Sequence, residues 1–256
     1  MQKSIIGIIP AAGKGSRLAP FPCPKELFPV GYQNYAVDGS IQRRPKVISQ
    51  YLVENILKAG AQKFLFIVSE SKGDVMKYYG DGSRFKTSIS YLFQESPSGM
   101  PSAINLAKDW AGDATILFGM PDTIIEPHDV FKHLLQQHNE KANDVTLGLF
   151  PTSLPSKFGM VEINKDGNVT ETIDKPAETS LKYMWGCACW EPSFTELINS
   201  FLNQNKNSKK AIVLGDIFNT AINQKLKVGS VAFDDGKYID IGTSEELDLA
   251  LKKFHL

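Results

Sequence analysis

Short β-branched and aromatic runs alternate with amphipathic stretches along most of this chain. The first run, Ile5 to Ile9, reads as a buried strand that stops at Pro10-Ala11-Ala12-Gly13. Val47 to Lys58 carries apolar residues at helical spacing, with Gly60 as its stop. Lys63 to Val68 predicts a second strand, and Ser71 to Tyr79 a serine-capped helix ending at Gly80-Asp81-Gly82. Ser88 to Phe93 predicts a third strand, and Pro101 to Trp110 a helix with proline in its first turn. Ala114 to Phe118 is a fourth strand, Val130 to Asn139 a helix, and Asp144 to Phe150 returns to the sheet. Strands alternating with helices in this manner predict an α/β fold with a parallel sheet covered by helices.

The second half changes character. Met160 to Ile163 and Asn168 to Ile173 flank Asp166-Gly167, a strong hairpin signal. A strand from Met184 to Trp190 follows, then helices over Ser193 to Leu202 and Val213 to Gln224. The last strand, near Tyr238-Ile239-Asp240-Ile241, leads into a helix capped by Thr243 or Ser244, with Glu245 and Glu246 in its first turn. Tyr32 to Arg44 and Asn203 to Lys210 are expected to be loosely structured. Neither repeats nor a linker divide the chain, so residues 1–256 are read as one domain.

Composition narrows the class. The chain is 42% hydrophobic and 22% charged, as expected of a soluble globular protein. Lys and Arg together number 28, as do Asp and Glu, so no global basic field invites nucleic acid or an anionic membrane. No signal peptide or membrane span is read, and Cys23, Cys187 and Cys189 suit a reducing cytoplasm. Cys187 and Cys189 are placed on opposite faces of their strand, which argues for packing over a joint metal site. The histidines at 128, 133, 138 and 255 show no metal spacing. No serine or cysteine nucleophile is apparent.

The candidate chemistry starts where the first strand ends. Gly13 and Gly15 carry no Cβ, so the backbone can approach a ligand closely. Amide N–H groups in such a loop form a concave anion site, and Arg17 and Lys25 bring positive charge to it. A nucleoside triphosphate suits that chemistry. A P-loop is excluded because five residues separate Gly7 from Gly13 and Lys14 is followed by Gly15. The dinucleotide fingerprint is excluded because Leu18 stands where its third small residue belongs. Asp122 and Asp240 each follow a buried strand, where ligands gather in open α/β sheets. Two such carboxylates could hold one magnesium against phosphates, although either could equally cap a turn. The amide of Gln94, in Gln-Glu-Ser-Pro-Ser-Gly, can donate and accept at once, matching the N3–H and O4 edge of uracil or thymine.

Pro10-Ala11-Ala12-Gly13-x-Gly15-x-Arg17, followed by Pro24-Lys25-Glu26-x-x-Pro29-Val30, resembles the signature of the sugar-1-phosphate nucleotidyltransferases. Within them, the first motif looks closer to the glucose-1-phosphate uridylyltransferases. The resemblance implies a Rossmann-like, mostly parallel mixed sheet with an inserted β-rich sugar-binding subregion. It implies Arg17 and Lys25 as catalytic cations, and Ala11, Ala12, Gly13, Gly15, Gln94 and Gly99 as nucleotide-binding residues. It implies Phe158, Gly159, Asp174, Lys175 and Trp185 on the sugar phosphate, and Asp122 and Asp240 on Mg2+. Asp174-Lys175-Pro176 stands where the family has Glu-Lys-Pro, and Phe158 lacks a tyrosine's hydroxyl. Glu162 matches a recurrent acid but could point outward, and Trp185 could equally be a core aromatic. The implied reaction joins a nucleoside triphosphate, UTP ahead of dTTP, to a sugar 1-phosphate. Its rivals are cytidylyl or guanylyl transfer on the same fold and a non-catalytic sugar-nucleotide-binding regulator. Partners are then small molecules, and homo-oligomerisation is left open.

Overall fold

Ile5–Pro10 (β1) is apolar because it runs through the middle of a sheet and is buried from Ile6 onward. It pairs in parallel with Lys63–Val68 (β4) on one side and Thr115–Gly119 (β6) on the other, and Ser88–Phe93 (β5) extends the parallel block beyond β4. The computed structural model describes residues 3–96, 98–208 and 210–254. Pro97, Lys209 and His255, which fall in segments read above, lie outside the described residues.

Tyr183–Trp190 (β11) joins the sheet antiparallel to β6. It also pairs with Val145–Pro151 (β8), which Val228–Ala232 (β12) flanks in parallel. Gly159–Ile163 (β9) and Val169–Asp174 (β10) form the expected hairpin at the far edge, with Asp174 opposite Gly159. The sheet is therefore mixed around a parallel core. Ile48–Lys58 (α1), Gly73–Tyr79 (α2) and Val130–Lys141 (α5) cover one face, packing Leu52, Val75 and Phe131 around Phe64 and Phe66. Met100–Asn105 (α3), Lys108–Ala111 (α4), Pro192–Gln204 (α6) and Leu214–Asn223 (α7) cover the other, over Ile8, Leu65 and Phe118. No helix among the described residues is long and apolar enough to cross a membrane.

Four expectations need correction. The segment Tyr32 to Arg44 is ordered as a hairpin, in which Pro29–Val37 (β2) pairs antiparallel with Ser40–Val47 (β3). Asp38 and Gly39 turn it, at φ 48° and 76°, the left-handed values a two-residue hairpin loop requires. Most of its residues are wet on both faces, so no hydrophobic alternation announces it. The helix expected over Pro101 to Trp110 is two pieces, because Leu106 and Ala107 bond back three residues to Ala103 and Ile104. Ser71 does not cap α2 directly but lies in the 3₁₀ turn Glu70–Lys72 before it. Cys187 and Cys189 share one face, both within the cluster around Phe64, since residues two apart on a strand point the same way. Packing still accounts for them, and burial pushes both thiols up.

Thr123–Glu126 (β7) pairs antiparallel with Lys237–Asp240 (β13), a small ribbon beyond the end of β6. Ser244–Phe254 (α8) then packs its Ala250 into a third small core with Val30, Ile48 and Ile124.

A buried histidine on α5 gives a stability prediction. His138 is sealed inside, its Nδ1 2.9 Å from the Thr146 hydroxyl and its Nε2 donating to Glu191 at 3.1 Å. Burial holds its pKa below the ordinary histidine value, against the pull of Glu191. The folded state thus binds this proton less readily than the unfolded chain. The stability it contributes is complete above about pH 6.5 and is lost as the pH falls through its lowered folded value. His138→Gln is expected to flatten the acid side of a plot of Tm against pH between 7 and 5, measured by calorimetry.

Candidate active site

Ala11 donates its amide to Ile67 at 2.8 Å, which extends the β1–β4 ladder and takes that N–H out of any anion site. Ala12 and Gly13, the next two residues, line a cavity of about 190 Å³ at the carboxyl ends of the parallel strands. Lys25, Glu26, Gln94, Gly99, Met120 and Asp122 are among the other residues that line it. A broader open trough of about 720 Å³ lies at the opposite edge of the sheet around Lys3, Lys63 and Trp110, away from every candidate residue.

Gly15 has φ 65° and Gly99 φ 99°, conformations that favour glycine. At Gly13 nothing lies within 4 Å of a Cβ built there, so the fold itself would admit a side chain and the bare backbone faces open space. Gly13→Ala is accordingly expected to leave Tm unchanged but to raise KM for the nucleotide on the order of tenfold, by displacing a closely held phosphate. Steady-state kinetics beside thermal denaturation checks both halves.

Lys25 donates from Nζ to Asp122 Oδ2 in a largely buried ion pair. Burial opposes the charge on Lys25, but Asp122 outweighs it and leaves the lysine pKa above its ordinary value. The β7–β13 ribbon brings Asp240 to the same place, opposite Thr123, and the Ile241 amide closes on the Asp122 carbonyl at 3.2 Å. Burial, then the neighbouring carboxylates of Asp122 and Glu246, push the Asp240 carboxyl up to about 7. Its Oδ1 is buried with no hydrogen-bond partner among the described residues.

Arg17 reaches this corner too. A Cβ on Gly242 would stand 3.0 Å from Arg17 Nη2 and 3.1 Å from Asp240 Oδ1, so the glycine leaves room for both groups. Among the described residues no cluster of three or more His, Cys, Asp or Glu offers a ready metal cage. Two carboxylates, one with an orphaned oxygen, nonetheless fit a hard divalent cation, which takes one or two carboxylates and its remaining oxygens from phosphates and water.

Gln94 is almost fully buried against the cavity, yet among the described residues its side-chain amide makes no hydrogen bond. Its own backbone is fixed by the Val68 carbonyl at 2.8 Å. An unspent amide in a half-open pocket is available to a flat heterocycle.

The sugar-side candidates also converge. The Lys175 amide bonds the Phe158 carbonyl at 3.0 Å, and Lys175 itself sits at φ 47°. A left-handed lysine outside a glycine-type turn is a strained position, of the kind that collects at functional sites. A Cβ on Gly159 would meet Trp185 Nε1 at 2.5 Å, so glycine there keeps the indole edge close. Trp185 is half-buried, set edge-on to Phe218 at 5.3 Å, and so serves the core on one side while keeping another free. Asp174 is exposed at the end of β10. Glu162 is exposed on β9 and accepts from Thr170 at 2.9 Å. Tyr238 joins the two halves: it packs edge-on against Phe158 at 5.8 Å and shares the β13 face with Asp240.

Two residues given no role by the sequence reading, Glu26 of the second motif and Lys72, stand beside Lys25. Glu26 and Lys72 form an ion pair at 2.7 Å with only 1% and 4% of their side chains exposed. Burial pushes the Glu26 carboxyl up even so, despite Lys72 beside it. Lys72 lies in a polar run, Ser-Glu-Ser-Lys-Gly-Asp, that reads as solvated surface.

Fold and site together define an α/β protein with a glycine loop, Lys25 and Asp122 at one cavity, and Asp240 and Arg17 beside them. The sequence profile of the Nucleotidyl transferase family matches residues 6–255, and the chain belongs to that family. It is 29% identical over 175 residues to the low-salt glycan biosynthesis nucleotidyltransferase Agl11 of Haloferax volcanii, covering 67% of this chain and 45% of that protein. It is 28% identical over 173 residues to a glucose-1-phosphate thymidylyltransferase of Neisseria meningitidis, covering 66% of this chain and 55% of that protein. The matches thus span about half the length of these curated relatives. A solved UDP-glucose pyrophosphorylase in complex with UDP-glucose superposes with a TM-score of 0.80 at 20% identity, covering 98% of each chain. That likeness shows the fold.

Proposed function

We propose that this protein is a sugar-1-phosphate nucleotidyltransferase. An oxygen of the sugar phosphate attacks the α-phosphorus of a nucleoside triphosphate. The bond from that phosphorus to the bridging β-phosphate oxygen breaks, pyrophosphate departs, and a nucleotide-sugar remains. The reaction needs no protein nucleophile, so positioning and charge neutralisation do the catalysis.

The observation carrying this reading is the meeting of Lys25, Asp122 and Asp240 beside the cavity that Gly13 and Gln94 border. Arg17 and Lys25 neutralise the triphosphate and the departing pyrophosphate. Gln94 pairs with a pyrimidine edge, and Gly13 lets the phosphates close on the backbone. Lys175 receives the sugar phosphate, while Phe158, Gly159, Asp174 and Trp185 bound the sugar. Asp122 and Asp240 are the residues that would hold Mg2+, which when bound supplies positive charge to the reacting phosphates. UTP is the favoured nucleotide and dTTP the next. Support for that order comes from the uridylyltransferase-like first motif and the pyrimidine chemistry of Gln94, while the curated relatives include a thymidylyltransferase.

The test is a matrix of four nucleoside triphosphates against a panel of sugar 1-phosphates, with Mg2+ and pyrophosphate release as the readout. Fast release with UTP or dTTP and one sugar phosphate is expected. Release confined to CTP or GTP would overturn the pyrimidine order, and nucleotide binding without release would overturn catalysis.

A further inference from the structure

Lys25 and Glu26 are neighbours in the 3₁₀ turn Lys25–Leu27, both line the cavity, and their side chains take different ion-pair partners. Lys25 rises to Asp122 at the cavity, while Glu26 turns inward to Lys72. The turn is also held by Leu27, packed against the core around Phe64, and by its backbone: the Ser49 hydroxyl donates to the Glu26 carbonyl at 2.6 Å, and the Ile48 amide bonds the Phe28 carbonyl at 2.9 Å. Glu26 is thus the one side chain of Lys25–Leu27 that forms an ion pair with another element beneath the site among the described residues. Lys72 comes from the turn Glu70–Lys72 directly after β4, the strand beside β1. The pair therefore ties the lysine-bearing turn to the same parallel strands that present the glycine loop.

Stability alone is a poor reason for this arrangement. Withdrawing two charges from water costs so much that a well-packed apolar pair of similar volume often does as well or better. What an apolar pair lacks is direction, because dispersion contacts allow rotation that a hydrogen-bonded ion pair forbids.

We infer that Glu26 and Lys72 are positioning residues, a buried ion pair that fixes where the Lys25 ammonium stands relative to the reacting phosphates. This rests on the proposed role of Lys25. Neither partner needs to touch substrate for it to hold. Loss of the pair frees the turn and blurs the placement of Lys25, which removes an interaction made in the transition state and so lowers kcat more than it raises KM.

Four variants, Lys72→Met, Lys72→Arg, Glu26→Gln/Lys72→Met and Lys25→Met, are compared for Tm, kcat and KM with UTP and glucose 1-phosphate. Lys72→Met is expected to lose Tm, and its kcat to fall about tenfold or more while KM for UTP changes much less. Lys72→Arg keeps the charge and is expected to recover most of kcat. The double variant removes both charges, so its Tm is expected to return toward wild type while its kcat stays low. That separation is what a purely structural pair would not produce. Recovery of Tm and kcat together in the double variant, beside a crippled Lys25→Met, would overturn this inference and leave the proposed function standing. Full turnover in Lys25→Met would overturn both. Should Lys72→Met fail to fold, the arginine and double variants decide the matter alone.

Discussion

Asp240→Asn is expected to make the metal-free protein more stable at pH 8 and at the same time to lower turnover by a factor of about 10²–10³, the scale of losing one preorganised electrostatic group. The two effects share a cause. In the folded protein the Asp240 carboxyl is pushed up to about 7 by burial and by the carboxylates of Asp122 and Glu246, from an ordinary 3.8. The folded state therefore holds this proton more tightly than the unfolded chain does. Its contribution is most favourable below about pH 4 and is lost as the pH rises through about 7. Above that pH the buried charge withholds on the order of a few kcal/mol, at about 1.4 kcal/mol for each pKa unit. Asparagine carries no charge at any of these pH values. In a chelating buffer its Tm is expected to exceed that of wild type by several degrees at pH 8 and to differ little at pH 4. Added Mg2+ should raise the wild-type Tm and leave the variant's nearly unchanged. Calorimetry at two pH values, with and without the ion, together with a pyrophosphate-release assay, checks each part. Near-normal turnover in the variant would remove Asp240 from the site.

Lys25→Met is expected to be the second most damaging change, with kcat lower by about 10²–10³. It carries an additional signature. The Lys25 ammonium sits on Asp122. A divalent ion arriving alone must compete with it. Methionine removes the competitor, so the nucleotide-free variant is expected to bind Mn2+ about tenfold or more tighter than wild type, as the loss of a cation beside a shared carboxylate requires. Titration calorimetry with Mn2+ and no nucleotide measures this directly. Equal affinities would show that Lys25 leaves Asp122 free before the ion arrives.

The parallel block of the sheet was legible because buried strands such as Ile5–Pro10 and Lys63–Val68 are apolar almost throughout, and their carboxyl-end loops follow in register with the motifs. Gly13, Lys25 and Gln94 could be placed near one another for that reason alone. The hairpin Pro29–Val47 was not legible as strands, since most of its side chains meet water on both faces and Asp38-Gly39 was its only strong signal. Short elements failed similarly: Thr123–Glu126 and Val228–Ala232 each offer too few residues to show a period. The approach of Asp122 to Asp240 depends on the pairing of two such short strands, which no local pattern encodes. Glu26 and Lys72 are the hardest case, because burial of a charged pair contradicts the rule by which cores are read from sequence. The placement of both cysteines of Cys187-x-Cys189 inside one core follows from strand periodicity once it is applied correctly.

The ribbon joining Thr123–Glu126 to Lys237–Asp240 also has a bearing on biosynthesis. A ribosome makes Asp122 more than a hundred residues before Asp240. A nascent chain that stops between them can complete the parallel core strands and their glycine loop, yet it lacks the strand that carries the second acid. Such a fragment shares much of the folded architecture while carrying one of the two acids proposed to hold the ion.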